Sequence, residues 1–449
     1  MINQLFKRQV ARTALLTGCS LLALLAWPAQ ASEVPTTDPA WAWDAKGQAT
    51  YVWQRKNAFT SPYQDANSLL PQREKSYSFS ASAYLGLRVP GLGELYLNPE
   101  AIQGVALSGL VGMGSFSNGE MQKVSGANLK AYLPRLFLRR DWALSDEREA
   151  VEAGPNQLAG SQARDRVRLT LGKFAITDVF DANAYSHDPR TQFLTWASLA
   201  HGSYDYAADA QGYSIGAALE YRRGDWAARI GRFMVPEESN GPKLSWALGA
   251  LHGDQLEIEH AHEWQGRPGA VRLLAWRNRE MMGSFQDALQ LAAGAAPRID
   301  DVRRVQTKSG LGLHIEQALS PAVAGFVRYS WADGRTENYS FEEVDRSSQI
   351  GLNIKGLAWS RPNDNIGLLA IANSLSGPHR QFLAQGGLGY FIGDGRLNYR
   401  DEQIFEAYYS WAVAPGFWLS VDLQHMRNPA YNRDRGPVNL GALRMHIEL

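Results

Sequence analysis

The residues best suited to chemistry gather in one irregular stretch, Thr177 to Ala210. It holds Asp178, Asp181, Asp188 and Arg190, with Phe193 and Trp196 close behind. The spacing of the three aspartates is not that of a calcium loop. The stretch is too polar and aromatic for a linker and too long for an ordinary hairpin. Two readings stand. The loop folds inward among its neighbouring elements, its carboxylates meeting arginines and Phe193 or Trp196 offering a flat face. Otherwise it is an external loop held by its own hydrogen bonds. Ordered loops carry function more often than not, which favours the first.

Other reactive patterns are weak. Gly212-Tyr213-Ser214-Ile215-Gly216 matches a nucleophile elbow, but Ser214 lies in an alternating run and no helix follows it. His260 and His262 share one strand face, yet no cysteine or clear third ligand accompanies them, so no metal site is expected. No glycine motif for phosphate is present. Arginines recur at every second position: Arg135 and Arg139, then Arg164, Arg166 and Arg168, then Arg222, Arg229 and Arg328. Acids fall on the same parity, including Asp141, Glu220, Glu257, Glu259, Glu406 and Asp422. A guanidinium is a planar fork of donors that suits hydroxyl pairs and carboxylates. The plainer account is that these charges solvate a wall and pair with one another.

The elements that carry these residues are strands. In Pro437 to Leu449, Leu443, Met445, Ile447 and Leu449 oppose Arg444, His446 and Glu448. A period of two makes one face apolar and the other charged. Similar alternation runs through 76–87, 131–142, 164–172, 213–222, 226–234, 244–251, 255–263 and 269–278. It continues at 309–317, 322–332, 346–356, 365–373, 385–391, 402–413 and 417–426. These give roughly 16 to 18 strands. Short links such as Ala414-Pro415-Gly416 alternate with long polar ones such as Asn428 to Gly436. Trp142, Trp226, Trp331, Trp359, Trp411 and Trp418 stand near strand ends, as an aromatic girdle requires. The expected fold is all-β: a transmembrane antiparallel barrel closed by pairing the last strand with one near Gly47 to Trp53. A soluble sandwich would have to bury the apolar face of every strand at once.

Composition agrees. The chain has 45 basic and 45 acidic residues among 449, which points away from nucleic acid. After the N-terminus no apolar run approaches the ~20 residues of a transmembrane helix, so a membrane crossing requires a barrel. Residues 1–31 read as a cleavable signal peptide: Lys7, Arg8 and Arg12, an apolar Ala14–Ala26, and Ala29-Gln30-Ala31. Leu16 to Cys19 matches a lipoprotein box, but the apolar segment continues well past it. Cleavage after Ala31 leaves residues 32–449, one barrel domain without cysteine, led by a polar stretch at 32–44.

Four segments resemble the OprB-type carbohydrate-selective porins of Gram-negative outer membranes. The first is Glu94-Leu95-Tyr96-Leu97-Asn98-Pro99-Glu100. The second is Gly172-Lys173-Phe174 with Asp178, Phe180-Asp181, Asn183, Tyr185, Asp188-Pro189-Arg190, Phe193-Leu194 and Trp196. Then come Gly393-Asp394-Gly395 with Glu406-Ala407-Tyr408-Tyr409, and Asn428 to Val438 running on to Arg444-Met445-His446. The resemblance implies a 16-stranded barrel with an inward loop, passing sugars by passive selective diffusion without a cofactor. It implies an eyelet of Arg135, Arg139, Asp178, Asp181, Arg190 and Trp196, the two strand arginines resting mainly on parity. Arg166, Arg168, Arg222 and Glu406 are further lumen candidates. Expected partners are sugars, outer-membrane lipids and the barrel-insertion machinery, and an oligomer is compatible with the uniform outer face. The terminal Leu449 departs from the aromatic that such barrels usually end on. A barrel enzyme of lipase or protease type, and a non-conducting or polymer-exporting barrel, are the alternatives.

Overall fold

The structure is a computed structural model that describes residues 41–121, 123 and 126–449. The expected signal peptide and most of the lead-in lie outside the described residues. Sixteen strands form one closed antiparallel barrel. It closes where Ala42–Lys56 pairs with Val438–Glu448, in a register running from Gln48 opposite Glu448 to Lys56 opposite Leu440. Closure leaves no free strand edge, so every ladder group finds a partner without water. The first strand takes in Ala42, Trp43 and Asp44, which the sequence reading had placed in the lead-in.

Parity predicts most of the wall. Leu443 and Met445 face outward and are exposed, while Arg444 and His446 are buried toward the interior. Trp142, Trp226 and Trp411 are exposed outward near the short-turn end. His260 joins them, its ring stacked on Trp226 at 4.4 Å. Four expectations fail. The runs 244–251 and 385–391 are not strands: they lie in long connections, the second just after the helix Gly377–Ala384, where Gly386 takes a left-handed φ of 84°. Short apolar runs do not distinguish a strand from a packed loop. Trp418 faces the lumen, its ring 5.7 Å from that of His446. Arg164 lies before the strand Arg166–Phe174, in a connection where it pairs with Glu147. Tyr213 also leaves its parity. The strand begins at Ser214, and Tyr213 is 2% exposed inside the barrel.

The connections differ sharply between the two ends. At one end tight turns join Arg223 to Trp226, Trp264 to Arg267 and Ala414 to Phe417. The exception there joins Ala143 to Arg166 and carries a hairpin, Arg148–Val151 paired with Gly160–Ala163. At the other end long segments fold over and into the barrel. Two short helices, Phe285–Ala292 and Gly377–Ala384, cap that mouth, and their Phe285 and His379 rings stack at 4.1 Å. His379 Nδ1 is 3.1 Å from Asp345 and its Nε2 is 3.4 Å from Glu343. Burial pulls the His379 pKa down, but these carboxylates outweigh it and hold the value at about 9. A value raised above the unfolded 6.5 stabilises fully below about pH 6.5 and fades as pH climbs through 9. Limited proteolysis of 377–401 in the folded barrel is therefore expected to quicken between pH 6.5 and 9.5. His379→Gln is expected to flatten that dependence.

Candidate functional site

Residues 175–213 fold inside the barrel, between the strands Arg166–Phe174 and Ser214–Arg223. Wall charges hold the loop by its backbone. Glu406 accepts the N–H groups of Leu194 at 2.5 Å and Thr195 at 3.0 Å. Glu257 accepts from Asp181 at 2.6 Å, and Glu316 from Ala184 at 3.0 Å. Arg328 donates to the carbonyls of Asp181, Ser186, Ser198 and Ala200. Arg444 donates to those of Pro189 and Gln192. Phe193 completes the anchor: its ring lies 5.0 Å from Tyr408 and 6.3 Å from Phe326. Gly367 and Gly351 make room for those two wall rings. An added Cβ would stand 2.1 Å from Tyr408 and 2.2 Å from Phe326.

A second loop, 106–129, enters beside the first. Its Gly114 and Ser115 N–H groups bind Glu402, and Phe116 N–H binds Glu342. Trp196 N–H donates to the Phe116 carbonyl at 2.9 Å, and the Trp196 ring packs 5.0 Å from Phe341.

The strands Glu74–Val89, Gly93–Val105 and Lys130–Ala143 supply the wall partners of Asp178 and Arg190. Along the long loop, Asp178, Tyr185, His187, Asp188 and Gln192 keep solvent access, as does Ala184 beside Glu316. Arg135 grips Asp178 through Nε and Nη2, both at 2.7 Å. The ring of Tyr213 lies 5.1 Å from the Arg135 guanidinium and 5.5 Å from Lys123 Nζ. Next to it, Arg190 spans from Glu100 at 2.6 Å to Glu120 at 3.2 Å and reaches the Tyr84 hydroxyl at 3.3 Å. Ser82 and Tyr132 hydroxyls donate to the same Glu100. Fixed charges of both signs thus alternate with phenol rings. Such a surface can trade donors and acceptors with a neutral polyol.

A family model described as the carbohydrate-selective porin, OprB family, matches residues 66–449. The chain belongs to that family. It is an outer-membrane channel through which carbohydrates diffuse selectively. Among solved structures the fold matches the high-pH structure of Pseudomonas putida OprB at TM-score 0.69. That match has 16% identity and covers 91% of this chain and 94% of that one. The low-pH structure of Pseudomonas putida OprB matches at TM-score 0.48, with 12% identity and coverage of 91% and 92%. Acinetobacter baumannii OccAB1 matches at 0.47, with 10% identity and coverage of 94% and 99%. No curated protein matches the chain. The short-turn end of the porin is periplasmic and the long loops are extracellular.

The other residues singled out in the sequence occupy distinct places in the porin. Arg139 lies nearer the periplasm, over the Tyr96 ring and donating to the Asn156 carbonyl. Asp181 is fully buried, 3.2 Å from Arg328 and 3.5 Å from His201. Burial lowers the His201 pKa to about 4, so Arg328 is the cation that neutralises Asp181. Trp196 is 8% exposed, within the packing between loops. Arg166, Arg168 and Arg222 form a periplasmic belt with Glu149, Asp141 and Glu259. Ser214 Oγ donates to the Met234 carbonyl at 2.6 Å. Sequence reasoning missed the loop 106–129, and with it Lys123 and Glu120. Tyr84 and Tyr132 were also missed. The signal for the loop was there: alternation fails between 106 and 129, ahead of the clear run at 131–142.

Proposed function

We propose that the eyelet of this porin is the ring of Arg135, Asp178, Arg190, Glu100, Lys123 and the tyrosines Tyr84, Tyr132 and Tyr213, and that it selects monosaccharide-sized solutes. In this reading residues 1–31 direct export and are then removed. The observation that carries the proposal is the Arg135–Asp178 fork. It is an ion pair joining wall to loop whose side chains stay 15% and 25% exposed, whereas the charges that clamp the loop are buried. A sugar hydroxyl that meets such a pair recovers the hydrogen bonds it gave up to water. The carrying energy stays small because neither charge is neutralised or moved.

The test is sugar block of single-channel current in planar bilayers. Arg135→Ala is expected to weaken glucose block about tenfold, the loss of one charge-assisted contact. Arg139→Ala should change it far less, since that guanidinium serves Tyr96 and Asn156. Equal effects of the two substitutions, or none from Arg135→Ala, would reject this eyelet.

A further inference from the structure

The outward face of the wall carries a basic cluster on adjacent strands. Arg232, Asp254, Arg277 and Ser309 stand opposite one another in a single cross-strand row. The next outward row toward the extracellular end places Arg279 between His252 and Thr307. Just below, the row Ile230, Leu256, Ala275 and Leu311 is apolar, with Ile230, Leu256 and Leu311 45% to 56% exposed. On the strand His252–Trp264, outward Trp264 and outward Asp254 mark the two ends of this band. Their separation matches the roughly 9 to 11 residues with which a tilted strand crosses a bilayer. With Trp264 at the periplasmic interface, the arginine row therefore stands at the extracellular headgroup level.

The arginines are held with donors to spare. Arg232 uses Nε and Nη2 on Asp254 at 2.7 and 3.0 Å, and Arg277 uses Nη2 on the same carboxylate at 2.6 Å. Arg279 uses Nε on the Ala250 carbonyl at 2.9 Å. The Arg232 and Arg277 side chains remain 49% and 56% exposed. Asp254 and the Asp333 carboxylate that accepts the Ser309 N–H stand against three guanidiniums, which leaves the patch cationic. Asp254 aligns two of them, which lowers the ordering cost of binding an anion. Guanidinium forks match phosphate oxygens, and a lipid phosphate at this depth keeps its acyl chains on the exposed Ile230, Leu256 and Leu311.

We propose that Arg232, Arg277 and Arg279 bind the phosphate-bearing headgroup of a lipid in the outer leaflet. The inference rests on the orientation of the barrel and not on the proposed eyelet. It is tested on the full protein, delipidated in detergent and titrated by native mass spectrometry with a bisphosphorylated outer-leaflet glycolipid. The probes for comparison are its dephosphorylated analogue and inorganic phosphate. The variant R232Q/R277Q/R279Q is expected to need about tenfold more phosphorylated lipid for half occupancy, the loss of charge-assisted contacts. R427Q, which removes an outward arginine elsewhere on the rim, should bind as wild type does. Both forms should bind the dephosphorylated analogue equally weakly. Equal binding by the triple variant and wild type, or an equal loss in R427Q, overturns the proposal. Competition by inorganic phosphate at lipid-like concentrations also overturns it, in favour of a small-anion site. If the triple variant does not fold, R277Q alone decides, with a smaller loss expected and no change counting against the site. Sugar block should be unchanged in the variant. Its loss together with lipid binding overturns an assignment confined to the outer wall.

Discussion

Replacing Arg328 with alanine is expected to free the inner loop and turn a selective channel into a wide, poorly selective one. Arg328 is 1% exposed and projects from the strand Val323–Ala332 into the middle of the loop. It serves four loop carbonyls and neutralises the Asp181 carboxylate. Neighbouring His201 does not share that task while Arg328 is present, because burial holds it neutral. Removing one partner of a buried pair leaves the other charged and dry, at a cost of about 3 to 5 kcal/mol. That cost falls on docking of the loop and not on the barrel, whose ladder hydrogen bonds are untouched. It amounts to roughly two to three and a half powers of ten in the ratio of docked to undocked loop. Single-channel recording should then show higher, noisier current with little glucose block, while the barrel keeps its resistance to heat. Arg444→Ala should act in the same direction but less strongly, since it abandons two carbonyls and no loop carboxylate. Wild-type current and block in Arg328→Ala would show that the loop is held elsewhere.

This double use of wall charges explains what the sequence revealed and what it concealed. Alternation alone placed Arg328, Arg444, Glu257 and Glu406 on the inner face, because a strand leaves each side chain only two directions. Alternation says nothing about what stands opposite. Glu406 meets Leu194 and Thr195 across more than two hundred residues of chain, and no local pattern marks that meeting. The charges therefore read as a solvated pore wall, whereas these four are consumed in holding a loop by its backbone. Tyr213 shows the same limit. Its parity assigns it to lipid, but the chain turns at Gly212, with φ of 97°, and delivers the ring between Arg135 and Lys123. The long loop was legible because its composition is unlike that of a linker. The loop 106–129 escaped notice because its Gly and Ser content resembles an ordinary connection, although its N–H groups are spent on Glu402 and Glu342.

The second large effect is expected at Arg190, where size selection and loop anchoring meet. Its guanidinium is 5% exposed and ties the loop to Glu100 on the wall, to Glu120 on the second loop and to the Tyr84 hydroxyl. Arg190→Ala leaves two buried carboxylates short of a cation. Glu120 keeps Lys123 at 3.4 Å, and Glu100 keeps only the Ser82 and Tyr132 hydroxyls. Two like charges without the bridge repel, so the second loop should part from the wall and lose its tie to the first on that side of the eyelet. The expected result in liposome swelling is a gain for disaccharides of about tenfold relative to monosaccharides, corresponding to some 1.4 kcal/mol off the entry barrier. Arg190→Lys should restore little of the selectivity, because a single ammonium lacks the planar fork that reaches both carboxylates. Glu120→Gln in the Arg190→Ala background relieves the repulsion and should recover part of it. An unchanged ratio of disaccharide to monosaccharide flux in Arg190→Ala would place the size filter elsewhere, leaving Arg135 and Asp178 to discriminate by chemistry alone.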